Sequence, residues 1–163
     1  MQTLLERLSL WFALTGGAVA AIVAAMTTTS IAGRATVAHP IPGDVELTQF
    51  GIAVCITLCL PWCQLRGANI IVDFFTQKAA PRTRGALDAF GALLLAVMCA
   101  LLSWRSAAGA FAVQSAGEQT MILGLPMWWT YALLAPGLAL TALVALWQAT
   151  RHARGLDPRA TPP

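Results

Sequence analysis

LSLWFALTGGAVAAIVAAMTTTSIAG, residues 8–33, is a run of 26 residues without a single charged side chain. The hydrocarbon core of a bilayer is about 30 Å thick, and a helix needs about 20 apolar residues to cross it. The run is long enough for that crossing. It is also longer than the apolar core of a secretory signal peptide, which has about 7–15 residues. We therefore interpret it as a membrane-spanning helix.

Three further stretches lack charge, and they cover 47–65, 89–104 and 119–150. Charged residues make up only 10% of the chain, compared with about 25% in a typical soluble domain. Inside lipid, a helix satisfies its own backbone hydrogen bonds. The sequence therefore predicts an all-α membrane protein in which residues 1–163 form a single integral membrane domain. Its four transmembrane helices are expected at about 8–32, 45–65, 87–112 and 126–149.

The distribution of Lys and Arg predicts the orientation, because cytoplasmic loops carry an excess of basic residues. Only Arg34 and Arg105 fall on one side of the predicted layout. The other side carries eight basic residues, namely Arg7, Arg66, Lys78, Arg82, Arg84, Arg151, Arg154 and Arg159. We therefore expect a multi-pass protein of the bacterial inner membrane with both termini in the cytoplasm. All six tryptophans fall near a predicted membrane surface, where amphipathic indole rings prefer to lie.

The segment LRGANIIVDFF, residues 65–75, mixes polar and apolar side chains just after the second helix. On a helical wheel one face is polar and carries Asn69, Asp73, Thr76 and Gln77. The opposite face is apolar and carries Ile70, Ile71, Phe74 and Phe75. Such a division is typical of an amphipathic helix that lies flat at a membrane surface. We expect this short interfacial helix at about 67–78, and a flexible tail over 151–163.

Few residues in this chain are suited to catalysis or to holding a cofactor. The only histidines are His39, in a loop, and His152, in the tail, so haem between the helices lacks axial ligands. Cys55, Cys59 and Cys63 are spaced as one stripe on a helix, which favours packing over metal binding. No charged residue is expected at mid-membrane, where ion pathways need one. We therefore expect no enzyme, no cofactor, no metal or substrate site, and no nucleic-acid partner.

Small residues recur every fourth position in the first helix, at Ala13, Gly17, Ala21 and Ala25. A stripe of this kind lets another helix approach closely. Alanine-rich membrane helices also produce such stripes by chance. The stripe is therefore a hypothesis for a packing face.

Three segments together resemble the small (Q, DctQ-like) membrane subunit of tripartite ATP-independent periplasmic (TRAP) transporters. They are PIPGDVEL at 40–47, LRGANIIVDFF at 65–75 and GEQTMILGLPMWWTY at 117–131. The resemblance covers nearly the whole chain, including four helices with both ends inside. Family members often have His where Asn69 stands and a basic residue where Ile71 stands, so no family role is transferred to these two positions.

The resemblance implies that the chain works with two other proteins in sodium-coupled uptake. A large membrane subunit carries the substrate site and the sodium sites, and a periplasmic binding protein delivers an organic acid. The small subunit packs against the scaffold of the large one and is not itself catalytic. Two alternatives stay open from the residues, namely a self-sufficient homo-oligomeric transporter or channel and a membrane anchor of a redox enzyme. The anchor needs haem or quinone ligands that the sequence lacks.

Six charged residues are candidates for contacts with these partners. Four are expected at the outer rim, near where a binding protein docks: Asp44, Glu46, Arg105 and Glu118. Asp44 and Glu46 also suit a local role, because Asp44 can cap the second helix and Glu46 falls in its first turn, where acids favour the positive end of the helix dipole. Arg105 is expected near the outer end of the third helix, where it snorkels to the headgroups or meets an acid of a partner. Arg66 and Asp73 are expected to fix the interfacial helix to the second helix or to the partner.

Overall fold

A computed structural model describes residues 2–37, 41–67 and 81–155 of the chain. These residues form four helices, which we name α1 to α4 in chain order. The helices are α1 (Gln2–Val37), α2 (Asp44–Arg66), α3 (Pro81–Ala116) and α4 (Trp128–Ala153). All four are long and apolar enough to cross a membrane. The predicted fold class, an all-α membrane protein with four transmembrane helices, is confirmed.

The observed helices are longer than the predicted ones, since helices extend beyond the apolar runs on which the prediction was based. Only α4 begins later than expected, at Trp128, because Pro126 lies in the preceding turn, where it pairs with Gln119. The same helix continues three residues into the predicted tail, as far as Ala153. The predicted interfacial helix beyond Gly67 lies outside the described residues.

The helices pack in the order α1, α2, α4, α3, which differs from their order in the chain. Helix α2 lies between α1 and α4, and α3 packs along the other side of α4, while α1 barely touches α4. A small apolar cluster joins α1, α2 and α4. It consists of Leu5 of α1 with Leu140 and Val144 of α4, and Leu65 of α2 packs against it. Helix α4 is the most buried of the four. The described helices therefore form a row with α4 inside it and α1 and α3 at its edges.

A glycine allows α1 and α2 to approach closely. A Cβ atom at Gly16 would lie 2.8 Å from the Cys59 Sγ and 3.2 Å from the Cys55 carbonyl oxygen. The neighbouring Gly17 has no atom within 4 Å of the same position. The contact face of α1 within this chain therefore runs through Gly16, and the predicted stripe through Gly17 and Ala21 is exposed.

Helices α2 and α4 run in the same direction and touch at Gly137. A Cβ atom at this position would lie only 2.4 Å from the carbonyl oxygen of Thr57 and 2.8 Å from its carbonyl carbon. Gly137 and Thr57 are both buried. Backbone therefore meets backbone here, which only a residue without a side chain permits.

Two buried glutamines join the same two helices near one end of the row. The Gln64 Nε2 donates a hydrogen bond to the Gln148 Oε1 at 2.7 Å. The Gln148 Nε2 in turn donates to the Gln64 carbonyl oxygen at 3.0 Å. Both side chains are buried, so the pair satisfies polar groups that apolar surroundings would otherwise leave unpaired. We call this end of the row the Gln64 end.

Helices α3 and α4 are antiparallel, and two contacts and a shared groove fix their alignment along the axis. The Ser103 Oγ donates to the Ala135 carbonyl oxygen at 2.8 Å. Gly109 faces the Tyr131 ring, since a Cβ atom there would lie 3.5 Å from the ring's Cδ1. Toward the Gln64 end, residues 89–90 and 149–150 line a common groove. Each residue of α3 can therefore be assigned a level on α4.

Candidate functional site

The end opposite Gln64, which we call the Glu46 end, contains three of the predicted partner-contact residues, namely Asp44, Glu46 and Glu118. Asp44 is one of them, and it joins the end of α1 to the start of α2. Its Oδ2 accepts a hydrogen bond from the Ser30 Oγ at 2.5 Å and one from the Arg34 Nη2 at 3.3 Å. Ser30 is almost fully buried, whereas Arg34 is 62% exposed. The hydrogen bond from Ser30 therefore contributes more than the exposed ion pair.

Glu46, in the first turn of α2, holds the loop that connects α3 to α4. Its Oε1 accepts a hydrogen bond from the Ile122 backbone N–H at 2.8 Å, and its Oε2 accepts one from the Leu123 N–H at 3.1 Å. The Leu123 side chain covers Gly43, which has a left-handed φ of 73°. Both carboxylate oxygens of Glu46 therefore have partners within the chain, and its contact with another protein stays a prediction.

The loop over 117–127 is ordered by its own hydrogen bonds as well as by Glu46. The Thr120 N–H donates to the Leu125 carbonyl oxygen at 2.9 Å, and the Leu125 N–H donates to the Thr120 Oγ1 at 3.0 Å. At its tip, the Met121 side chain is 99% exposed. The loop therefore presents an apolar side chain outward on a backbone that is fixed from within.

Glu46→Gln is expected to release this loop without unfolding the helices. Glutamine keeps one acceptor oxygen but replaces the other with an N–H donor, so one of the two backbone amides loses its partner. A hydrogen bond to a charged group is worth about 1.5–3 kcal/mol, which corresponds to about a tenfold change in population or more. Hydrogen–deuterium exchange at Ile122 and Leu123 should accelerate accordingly. Glu118→Gln is the matched control in the same loop, and equal exchange in the two variants would contradict the assigned role of Glu46.

Glu118 and Arg105 are both exposed, but the structure places them at different levels. Glu118 lies in the loop at the Glu46 end, as expected. Helix α3 continues past Arg105 for eleven residues, to Ala116, so Arg105 is not near the end of its helix. It lies within the candidate membrane span Gly85–Ala116. Arg105 thus lies further from the end of its helix than expected, and its contact with a partner stays a prediction.

Arg66 lies at the Gln64 end, where its guanidinium stacks on an indole ring. Its Cζ is 4.6 Å from the centroid of the Trp62 ring. Arg151 and Trp147 form a similar pair on α4, at 5.2 Å. Asp73 lies outside the described residues, so the predicted joint role of Arg66 and Asp73 stays a prediction.

A family model for the DctQ component of tripartite ATP-independent periplasmic transporters matches residues 22–155. The chain belongs to the DctQ family. The match includes all three segments on which the resemblance was based. It confirms that the chain is a small membrane subunit of a TRAP transporter. Comparison with curated proteins gave no match, and neither did comparison with solved structures.

The cysteines of this DctQ chain are free thiols on α2 and α3. Cys59 lies against α1, where its Sγ contacts the Ala13 carbonyl oxygen at 3.9 Å. Cys99 is buried. Within the described ranges, no group of three His, Cys, Asp or Glu side chains is placed to hold a metal ion.

Sequence reasoning missed the two glutamines that join α2 to α4 in this DctQ chain. Gln64 and Gln148 each stand near the end of an uncharged stretch, where a polar residue is easily read as part of the membrane surface. Their one distinguishing signal is that each is polar yet falls on the apolar side of its helix. The contact itself depends on the parallel packing of α2 and α4, which the sequence does not reveal.

Proposed function

We propose that this DctQ chain is the non-catalytic small permease subunit of a TRAP-type secondary transporter. In this role it scaffolds the large membrane subunit during sodium-coupled uptake of an organic acid, which a periplasmic binding protein delivers. The family match supports the transporter class. The substrate and sodium sites belong to the large subunit in this proposal, and the chain itself carries out no chemistry.

The arrangement of the helices in a row is the observation that carries the proposal. A solute pathway through one chain requires helices that surround a lumen, whereas the described helices lie side by side. Both edges of the row expose large apolar side chains, among them Trp11 and Ile22 of α1 and Phe90 and Phe111 of α3. Apolar faces of this size are covered by lipid or by other membrane helices. The row thus has the shape of a support for a larger membrane protein.

In the proposed orientation both termini face the cytoplasm, because most basic residues then lie on the cytoplasmic side. The Glu46 end with the loop over 117–127 accordingly faces the periplasm, on the side from which the binding protein approaches. Glu118 is exposed there and is available for that contact. Arg66 and the exposed Arg154 lie at the cytoplasmic side.

Reconstitution of defined subunits tests the proposal. The chain is co-expressed with the large TRAP membrane subunit, and the two are expected to purify together in fixed proportion. In proteoliposomes, uptake should require both subunits, the binding protein and a sodium gradient. Sodium-driven uptake through the chain alone would overturn the proposal and favour the self-sufficient homo-oligomeric transporter. A mock membrane lacking the chain provides the baseline for flux.

A further inference from the structure

The alignment of α3 against α4 gives the level of Arg105 within the row. Ser103 lies beside Ala135 and Gly109 lies beside Tyr131, so Arg105 is level with residues 133–134 of α4. Residue 134 is six residues after the start of α4 at Trp128. At 1.5 Å per residue, this is about 9 Å along the axis from the Glu46 end of α4.

Helix α2 gives a second measure of this depth, which uses the same alignment of α3 with α4. Thr57 touches Gly137, so residue 54 of α2 is level with residue 134 of α4 and therefore with Arg105. Glu46 precedes residue 54 by eight residues, or about 12 Å. Half of a hydrocarbon core is about 15 Å. If Trp128 and Glu46 mark one surface of the apolar layer, Arg105 lies closer to its middle than to either surface.

The surroundings of Arg105 on α3 are apolar and face outward. One helical turn away, Leu101 is 54% exposed and Leu102 is 53% exposed. On the other side of Arg105, Ala108 and Ala112 are exposed as well. The guanidinium is therefore the single charge on an exposed apolar stretch, and the two alanines leave room for another helix to approach closely.

No carboxylate of the described residues pairs with Arg105. The acids nearest to it along the chain are Asp88, 17 residues earlier, and Glu118, 13 residues later and beyond the end of α3. Helical rise alone puts the first of these about 25 Å away. A charged residue at the centre of a membrane helix is costly unless it pairs or reaches water.

The direction of the Arg105 side chain disfavours snorkelling to the nearer membrane surface. In a helix each Cα–Cβ bond tilts toward the helix N-terminus. The N-terminus of α3 is at the Gln64 end. The Cα–Cβ bond of Arg105 therefore points away from the Glu46 end, which is the nearer one. Snorkelling to the closer headgroups would require the chain to turn back along the helix.

We propose that Arg105 pairs inside the membrane with a carboxylate on a transmembrane helix of the large subunit. Charge complementarity selects this occupant, because a carboxylate at matching depth neutralises the guanidinium and accepts two parallel hydrogen bonds from it. A second copy of the chain is disfavoured, since a symmetric contact through this face brings two guanidinium groups together. The exposed face of α3 around Arg105 is thus the surface that binds the large subunit. This inference rests on the proposed function.

Co-purification with the large subunit tests the pairing. Arg105→Leu leaves the partner carboxylate buried and unpaired, so we expect affinity between the subunits to fall about a hundredfold. Arg105→Lys, which keeps the charge, should restore part of the binding. The matched control is Arg154→Leu, the same substitution at an exposed arginine beyond the end of α4, and it should leave the complex intact. The isolated Arg105→Leu chain should melt at or above the temperature of the unchanged chain, because leucine suits lipid better.

Replacing each intramembrane Asp and Glu of the large subunit by its amide identifies the partner carboxylate. One such change should weaken the complex as Arg105→Leu does, and the two together should cost little more than either alone. Full recovery of the complex with Arg105→Leu would overturn the proposal in favour of a lipid phosphate. Loss of a homodimer on the same change would overturn it in favour of a second copy. If the unchanged chain does not bind the large subunit at all, it is the proposed function that fails.

Discussion

Gly137→Val is expected to force α2 and α4 apart and to cause a large loss of stability. The first atom of any side chain at this position would lie 2.4 Å from the Thr57 carbonyl oxygen and 2.8 Å from its carbonyl carbon. Both are backbone atoms of a buried helix turn, so they cannot move aside as a flexible side chain can. Overpacking a core costs about 1–3 kcal/mol, and occasionally more. We expect the upper end of that range because the whole helix must shift.

Thermal unfolding of the purified chain in detergent measures this loss. Gly91→Val is the matched control, since Gly91 also lies within a helix but has no atom within 4 Å of a Cβ position. Valine and glycine differ only modestly in helix propensity, so the control should melt close to the unchanged chain. Equal melting of the two variants would show that α2 and α4 do not meet at Gly137.

Gln148→Leu is expected to weaken the Gln64 end of the row by about 1–2 kcal/mol. The substitution removes the acceptor of the 2.7 Å hydrogen bond from Gln64. It also removes the N–H group that reaches the carbonyl oxygens of Gln64 and Leu65 in the last turn of α2. The Gln64 carbonyl oxygen also accepts a hydrogen bond from the Gly67 N–H at 3.0 Å, whereas the Leu65 carbonyl lies in the last turn, where carbonyls have no partner within their own helix. Gln148→Leu should therefore cost more than Gln64→Leu, which removes only the side-chain amide of the pair.

A double-mutant cycle measures this coupling. Replacing both Gln64 and Gln148 by leucine should cost little more than replacing Gln148 alone, because the second change removes a group that has already lost its partner. Gln49→Leu is the control, since Gln49 lies on the same helix α2 but is exposed. Strictly additive costs would argue against a direct contact between the two glutamines.

The number and approximate place of the helices could be predicted because lipid imposes a strict rule on each segment separately. A span needs enough apolar residues, and runs such as 8–33 and 119–150 satisfy that need without reference to the rest of the chain. The ends were less predictable, because α1 and α3 continue past their apolar runs as far as Val37 and Ala116. The order in which the helices pack depends on contacts such as Gly137 with Thr57, which no single segment encodes.

The candidate site was predictable only in part, for the same reason. The sequence placed Asp44 at the cap and Glu46 in the first turn of the second helix, whereas the cap is Gly43 and Asp44 is the first helical residue. Their acceptor roles toward Ser30 and Ile122 come from helices and loops distant in the chain. For Arg105 the sequence indicated a place near the end of the third helix, whereas eleven further residues of α3 follow it. Its level follows from the alignment of α3 with α4, which rests on the contact between Ser103 and Ala135.

The row has a consequence for how the chain assembles. Helices α1 and α2 form one antiparallel hairpin and α3 and α4 form another, and among the described residues the only extensive seam between the hairpins is that of α2 with α4. Membrane helices can insert first and associate afterwards. The two hairpins are therefore the halves into which the described helices divide, and we expect a chain cut between Arg66 and Pro81 to reassemble along that seam.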